Sequence, residues 1–183
     1  MPPPAIIVGL DLSLSRPAAC CIDSDWEIGN WKTVSYVSWK TAPVSSLADR
    51  HERLCWIRDR VLEFCFDERD ATHIWIEGYA FAAQSSSVTK LAELGGVVRV
   101  ALHEHGIDAV PVPSTSCRKL LLGKVPRKGA KVAVQRALYD AGAPFDDDDQ
   151  CDAMAVVNFG LSELGYTAMT LTRDAIETKV VSQ

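Results

Sequence analysis

The residues of this chain best suited to chemistry are carboxylates in three places. Asp11 closes the apolar run AIIVGLD, Glu77 closes HIWIE, and FDDDDQCDAMAVV, residues 145–157, sets four aspartates in a row and adds Asp152 as the sequence turns apolar. A carboxylate at the end of an apolar strand is costly to bury unless a cation or hydrogen bonds compensate it. Asp149 and Asp152 are three apart and Asp148 and Asp152 four apart, so in a helix either pair shares a face. Like charges at that spacing repel. Magnesium, a hard cation that takes carboxylate oxygens and keeps several waters, would relieve the repulsion. Two such ions about 3.5 to 4 Å apart suit in-line displacement at a phosphodiester, a chemistry that needs several acids and no histidine. The four histidines, at 51, 73, 103 and 105, show no ligand-like spacing. Plainer readings exist for each place: a solvated, dipole-favoured helix entrance for Asp146 to Asp148, a turn or cap for Asp11, an edge ion pair for Glu77. The combination of the three favours a metal.

The elements that must position these acids follow from pattern. AIIVGLDL is a short β-branched run that reads as a buried strand, and PAACCID and KTVSYVSW predict two more in meander order. From about Ser45 to Asp67, Leu47, Leu54, Ile57, Val61 and Cys65 recur at helical spacing and predict an amphipathic helix. HIWIEGYAF returns to strand character and puts Glu77 at its end. VTKLAELGGVVRVALHEHG predicts a second helix with a stripe of Leu91, Leu94, Val98 and Leu102. Gly95 and Gly96 inside it cost roughly 1 kcal/mol each relative to alanine, so something is expected close to their backbone, either the sheet or the same helix of a second subunit. IDAVPVP is a strand, PSTSCRKLLLG and GAKVAVQRALYDAG are helices, and a last helix runs from the aspartates to about Gly165. The order βββαβαβ followed by helices predicts an α/β fold with a mixed five-stranded sheet flanked by helices. One domain is expected over 1–165, with a tail over 166–183.

Composition sets the remaining bounds. The chain has 183 residues, 48% apolar and 23% charged, which excludes disordered and fibrous classes. No apolar run approaches the roughly 20 residues a membrane span needs, and MPPPAIIVGLDLS lacks the basic start of a signal peptide, so a cytoplasmic protein is expected. The cysteines at 20, 21, 55, 65, 117 and 151 form no C-x-x-C pair and read as reduced, mostly buried thiols. A net charge of −5 argues mildly against nucleic acid. Its distribution argues the other way, because Arg118, Lys119, Lys124, Arg127, Lys128, Lys131 and Arg136 lie in a stretch without a single acid.

These motifs resemble a family. IIVGLDLSLSRPA is similar to the first catalytic motif of RuvC-type Holliday junction resolvases, IWIEGYAF to the second and DQCDAMAVV to the last, with an A-E-L-G-G helix after the second. The resemblance spans about residues 5–162. It implies a ribonuclease-H-like fold, a homodimer, and magnesium-dependent paired nicking of a four-way DNA junction. It implies that Asp11 bridges two ions, that Glu77 completes one and that Asp149 with Asp152 completes the other; manganese is an expected substitute. The helical spacing alone leaves Asp148 and Asp149 equal, and the choice of Asp149 comes from the D-x-x-D motif. Arg118 and Lys131 match the family's basic contacts near the scissile phosphate, with Lys131 neutralising charge in the reaction and Lys119, Arg127 and Lys128 as further DNA contacts. Bacterial members carry a wedge aromatic three residues after the glutamate. Here that place is Ala80, and Tyr79 and Phe81 on either side are the candidates for DNA contact. The long stretch between Asp11 and Glu77 is closer to phage-type members.

Three other readings are open to test. A nuclease acting on RNA–DNA hybrids or other branched DNA is the nearest, and a junction-binding protein with an inactive site is a second. GLDLSLS as the phosphate loop of an actin-like kinase is a third, but such proteins need two similar domains and this chain has no internal repeat.

Overall fold

The structure is a computed structural model that describes residues 5–78 and 86–171. Its centre is one mixed sheet. Strands β1 (Ile6–Asp11), β2 (Ala18–Asp23) and β3 (Ser35–Ser38) form an antiparallel meander. Helix α1 (Leu47–Leu62) crosses to β4 (His73–Gly78), parallel to β1, and α2 (Ser86–Glu104) crosses to β5 (Val110–Pro113), parallel to β4. The spatial order is β3-β2-β1-β4-β5. Helices α3 (Ser114–Leu122), α4 (Ala130–Asp140) and α5 (Asp148–Glu163) follow. The predicted mixed five-stranded sheet and its helices are therefore present.

Strand periodicity sorts the core into two layers. Val8 and Leu10 of β1, Ala19 and Cys21 of β2, and Ile74 and Ile76 of β4 pack under α1 and α2, with Leu54, Ile57, Val61, Leu94, Val98 and Leu102 supplied by the helices. Ile7, Ala18, Cys20, Ile22 and Trp75 point the other way, into the layer built by α3, α4 and α5. By the same alternation Asp11 falls on the face of Ile7, and Glu77 on the face of Trp75. Both acids are thus delivered to the side of the sheet that α5 covers.

Helix α1 starts at a capping box: the Ser46 hydroxyl accepts from the Asp49 N–H while the Asp49 carboxylate accepts from the Ser46 N–H. Its stripe is buried as predicted from Leu54 onward, and the chain continues through a π-helical turn at Glu63–Asp67. Leu47 departs from the expectation. It is exposed, because it is the first residue of the helix and precedes the segment that reaches the sheet.

The expected close approach at the paired glycines is absent at Gly96, where a built Cβ would meet nothing within 4 Å in this chain. Close packing falls at two other glycines. A Cβ on Gly9 of β1 would lie 2.4 Å from the Val157 nitrogen and 2.5 Å from the Ala153 oxygen, and one on Gly160 of α5 would lie 2.7 Å from the Trp75 ring. Helix α5 rests directly on β1 and β4 through these two points.

Beyond α5, residues 166–171 pack on the same layer. The Asn158 amide donates to the Met169 carbonyl at 2.9 Å and accepts from its N–H at 2.7 Å, and the Leu171 N–H donates to the Leu121 carbonyl. All six cysteines are free thiols, and every one except Cys55 is buried.

The two close glycines differ in what they meet, which sets an expected order of damage. Gly9→Ala sets a methyl against helix backbone and should cost about 1–3 kcal/mol, lowering Tm by roughly 2–4 °C for each kcal/mol. Gly160→Ala meets a side-chain ring and gains about 1 kcal/mol of helix propensity, so its net loss should be smaller. Calorimetric melting of both variants checks the order; equal or reversed losses would mean that α5 is not seated on Gly9.

Candidate metal centre

Register brings the acids of the sheet together. Leu10 of β1 is paired with Ile76 of β4 in a parallel ladder, so the next residues, Asp11 and Glu77, stand side by side at the ends of the strands. Asp152 comes from the opposite direction, on the first turns of α5 and next to Ala153, whose carbonyl sits over Gly9. One oxygen from each of Asp11, Glu77 and Asp152 lies within 4.8 Å of the others. Asp152 is 2% exposed and Asp11 9%.

Two buried acids and a third whose side chain is 17% exposed, this close, raise one another's energy. Burial pushes the Asp11 carboxyl well above its usual range, and the charges of Glu77 and Asp152 add to the shift. Glu77 is raised by burial and by Asp152, against the pull of Arg118 and Lys131 and a hydrogen bond from Ser114 at the start of α3. The neighbouring thiols Cys117 and Cys151 are pushed up to about 12 by burial, so neither is a thiolate nucleophile.

Two cations enter the cluster. Arg118 on α3 forks onto Asp152, with Nε donating to Oδ1 at 3.1 Å and Nη2 to Oδ2 at 3.0 Å, and Nη2 lies 3.5 Å from Glu77 Oε1. Lys131 on α4 places Nζ 2.9 Å from Asp152 Oδ2, 3.6 Å from Asp149 Oδ1 and 3.7 Å from Asp148 Oδ2. Partial burial works against the ammonium, but the Asp152 hydrogen bond and the charges of Asp152, Asp11 and Asp149 outweigh it, so the lysine's pKa is raised.

The aspartate run divides by role. Asp147 is not a solvated entrance to the helix. It is the N-cap of α5, 12% exposed, with Oδ1 accepting from the Gln150 N–H at 2.8 Å and Oδ2 accepting from the Ser38 hydroxyl at 2.7 Å and Arg16 Nη1 at 3.3 Å. The cap ties α5 to the end of β3 and to the turn after β1. Asp149 is raised by burial and its charge acts on Asp11, whereas Asp148 is half exposed. Asp149 is therefore the better placed of the two, though it stands outside the close triad.

Of the predicted DNA contacts, Arg118 and Lys131 are engaged with carboxylates. Lys119, Arg127 and Lys128 are exposed, and within the described residues none is joined to an acid. Tyr79 and Phe81 lie outside the described residues. Three positions that carry the site, Ser38, Arg16 and Ser114, escaped the sequence reading. A serine or arginine far along the chain from an acid leaves no local signal of such a contact.

Neither protein-family profiles nor the sequences of curated proteins gave a match to this chain. Solved structures did. Thermus thermophilus RuvC superposes with a TM-score of 0.65 at 18% identity, covering 88% of this chain and 97% of that one. T. thermophilus RuvC in complex with a Holliday junction substrate gives 0.64 at 17%, covering 88% and 96%. The yeast mitochondrial Holliday junction resolvase Ydc2 gives 0.56 at 11%, covering 87% and 78%. The order of strands, the placement of helices and these superpositions agree that the chain has the ribonuclease-H-like α/β fold found in RuvC and other Holliday junction resolvases.

Proposed function

We propose that the protein is a magnesium-dependent endodeoxyribonuclease that resolves four-way DNA junctions by paired nicks. The convergence of Asp11, Glu77 and Asp152 from three separate elements to within 4.8 Å carries this reading. The donor set fits a hard divalent cation: all oxygen, pre-clustered, and repelling one another until a cation intervenes. Asp11, Glu77 and Asp152 would hold one ion, and Asp149 with Asp152 a second. Bound magnesium supplies positive charge at the reacting phosphate and lowers the pKa of water; manganese can stand in for it.

The chain's own groups do the rest. Arg118, fixed by its fork, pairs with both oxygens of Asp152 and holds that carboxylate in one orientation. Lys131 stands beside the carboxylates with a flexible stem and can donate to a non-bridging phosphate oxygen, where charge builds during displacement. Lys119, Arg127 and Lys128 extend a basic rim from α3 through the loop before α4, suited to the backbone of an arm of branched DNA. Paired nicks on opposite strands call for a twofold dimer. Helix α2 offers the surface for it, since Gly96 has open space above it and Val100 is 60% exposed.

Asp11→Asn should reduce magnesium-dependent nicking of a synthetic four-way junction by at least about 100-fold and leave junction binding in place. Hybrid, flap and fork substrates assayed beside it define the selectivity, and full activity in excess chelator would refute the metal reading. Asp149→Asn should lose more nicking activity than Asp148→Asn; equal losses would mean that both aspartates serve the site.

The raised carboxyls also make a stability prediction. An acid whose pKa is raised by folding binds its proton more tightly in the fold, so metal-free stability falls as pH rises from about 4 toward the raised values. In chelator at neutral pH, Asp11→Asn should therefore melt roughly 2–4 °C or more above the wild type. Added magnesium should raise the wild type and not the variant. Melting curves in which magnesium stabilises both equally would place the ion elsewhere.

For the dimer, Gly96→Arg should halve the mass seen by light scattering while the circular dichroism spectrum is kept. An unchanged mass removes α2 from the interface.

A further inference from the structure

The two cations of the cluster are held in different ways. Arg118 is 14% exposed and lies planar against both oxygens of Asp152. Lys131 is 45% exposed and brings a single ammonium, on a flexible four-carbon stem, to Asp152, Asp149 and Asp148. A carboxylate oxygen has two acceptor positions. Asp152 Oδ2 uses both, for Arg118 Nη2 and for Lys131 Nζ, while among the described residues Oδ1 accepts from Arg118 Nε alone. Oδ1 therefore keeps one acceptor position for a cation with both basic residues in place, and an oxygen of Asp152 lies within 4.8 Å of oxygens of Asp11 and Glu77. A second cation, shared by Asp149 and Asp152, would compete with the ammonium, which stands 3.6 Å from Asp149 Oδ1 and 2.9 Å from Asp152 Oδ2.

Charge points the same way. Asp11, Glu77, Asp149 and Asp152 bring −4 when ionised, and Arg118 and Lys131 return +2, leaving −2. One divalent ion brings the cluster to zero. A second would leave it at +2 unless Lys131 withdrew and negative phosphate arrived.

We propose that Lys131 is a built-in counter-ion that holds the second of two metal places in the free protein and yields it when a DNA phosphate offers the ammonium another acceptor. This inference rests on the nuclease reading and goes beyond it. The free protein takes one ion, and the second enters together with DNA. By linkage, DNA and the second ion then raise each other's affinity by the same factor. The site would carry its full complement of metal only where a phosphate is present to be cut.

Manganese binding without DNA tests this, counted by the paramagnetic resonance of the free ion and by calorimetry. Wild type should bind one ion tightly per chain. Lys131→Gln and Lys131→Ala should bind two, the second tightened by roughly tenfold or more. Lys32→Gln removes the same charge from an exposed position outside the basic rim and should change binding by less than about twofold. With a four-way junction present, its own uptake measured separately, wild type should gain the second ion and Lys131→Gln should gain no further one. Two equal ions on the free wild type, one ion on both Lys131 variants, or an equal effect of Lys32→Gln would overturn the proposal. A protein that bound manganese in these ways but not a junction would leave the counter-ion role standing without its trigger, and the junction reading would fail instead. A protein that bound no manganese would end both.

Discussion

The missing side chain of Gly9 lets the backbone of α5 come down on β1, with the Val157 nitrogen and Ala153 oxygen where a Cβ would otherwise be. A helix in ordinary contact with a sheet stands about 10 Å from it, held off by side chains on both surfaces. Here one layer of side chains is removed at the point of crossing. Asp152 precedes Ala153, and Asp11 is two residues beyond Gly9 on the same face of the strand. The short distance at the glycine thus becomes a short distance between carboxylates. Gly160 repeats the device two turns later against Trp75 and Ile7, which fixes the tilt of the helix as well as its height.

That closeness imposes an electrostatic burden which the rest of the site answers. Two acids on adjacent strands and a third on a helix, nearly all buried, repel one another and lack water to screen them. The fold answers with groups from four further places: Arg118 of α3, Lys131 of α4, and the contacts of Ser38 at the end of β3 and Arg16 in the turn after β1 that hold the N-cap of α5. Neutralising a buried carboxylate with a forked guanidinium preserves its charge and its direction, where protonation would lose both. Short connections from β5 to α3 and from α3 to α4 place these cations on the covered face of the sheet.

How far the sequence reveals this depends on the range of the interaction. The strands, the helices and the division of the sheet into two faces come from local periodicity, and Asp11 and Glu77 could be placed at strand ends from the apolar runs before them. The role of Asp147 could not, because its hydroxyl and guanidinium partners are 109 and 131 residues away. Gly95 and Gly96 drew attention because glycine is costly inside a helix, while Gly9, which matters more for the site, carries the signal a strand glycine gives for close approach of another backbone without saying which backbone. Leu47 fits the helical stripe by spacing and is nevertheless exposed, since periodicity does not say where along a helix the sheet begins. The D-x-x-D spacing separates Asp149 from Asp148 only by resemblance, whereas burial and the charge on Asp11 separate them physically.

A net charge of −5 is a poor guide to what such a protein touches. The acids of the site do not face a partner as bare negative charge, because Arg118 and Lys131 stand among them. Of the seven cations between 118 and 136, those two are used inside the cluster and Arg136 lies 3.8 Å from Asp140, a solvent-exposed pair of little consequence. Lys119, Lys124, Arg127 and Lys128 remain, exposed and close together along α3 and the loop that follows. Attraction between exposed charges fades within about 10 Å at moderate salt, so a phosphate arriving at this rim responds to these four and little to the acids on distant helices. The same stretch of chain therefore carries positive charge of two kinds, a part that neutralises the site inside and a part left exposed to solvent. Net charge sums over both and reports neither.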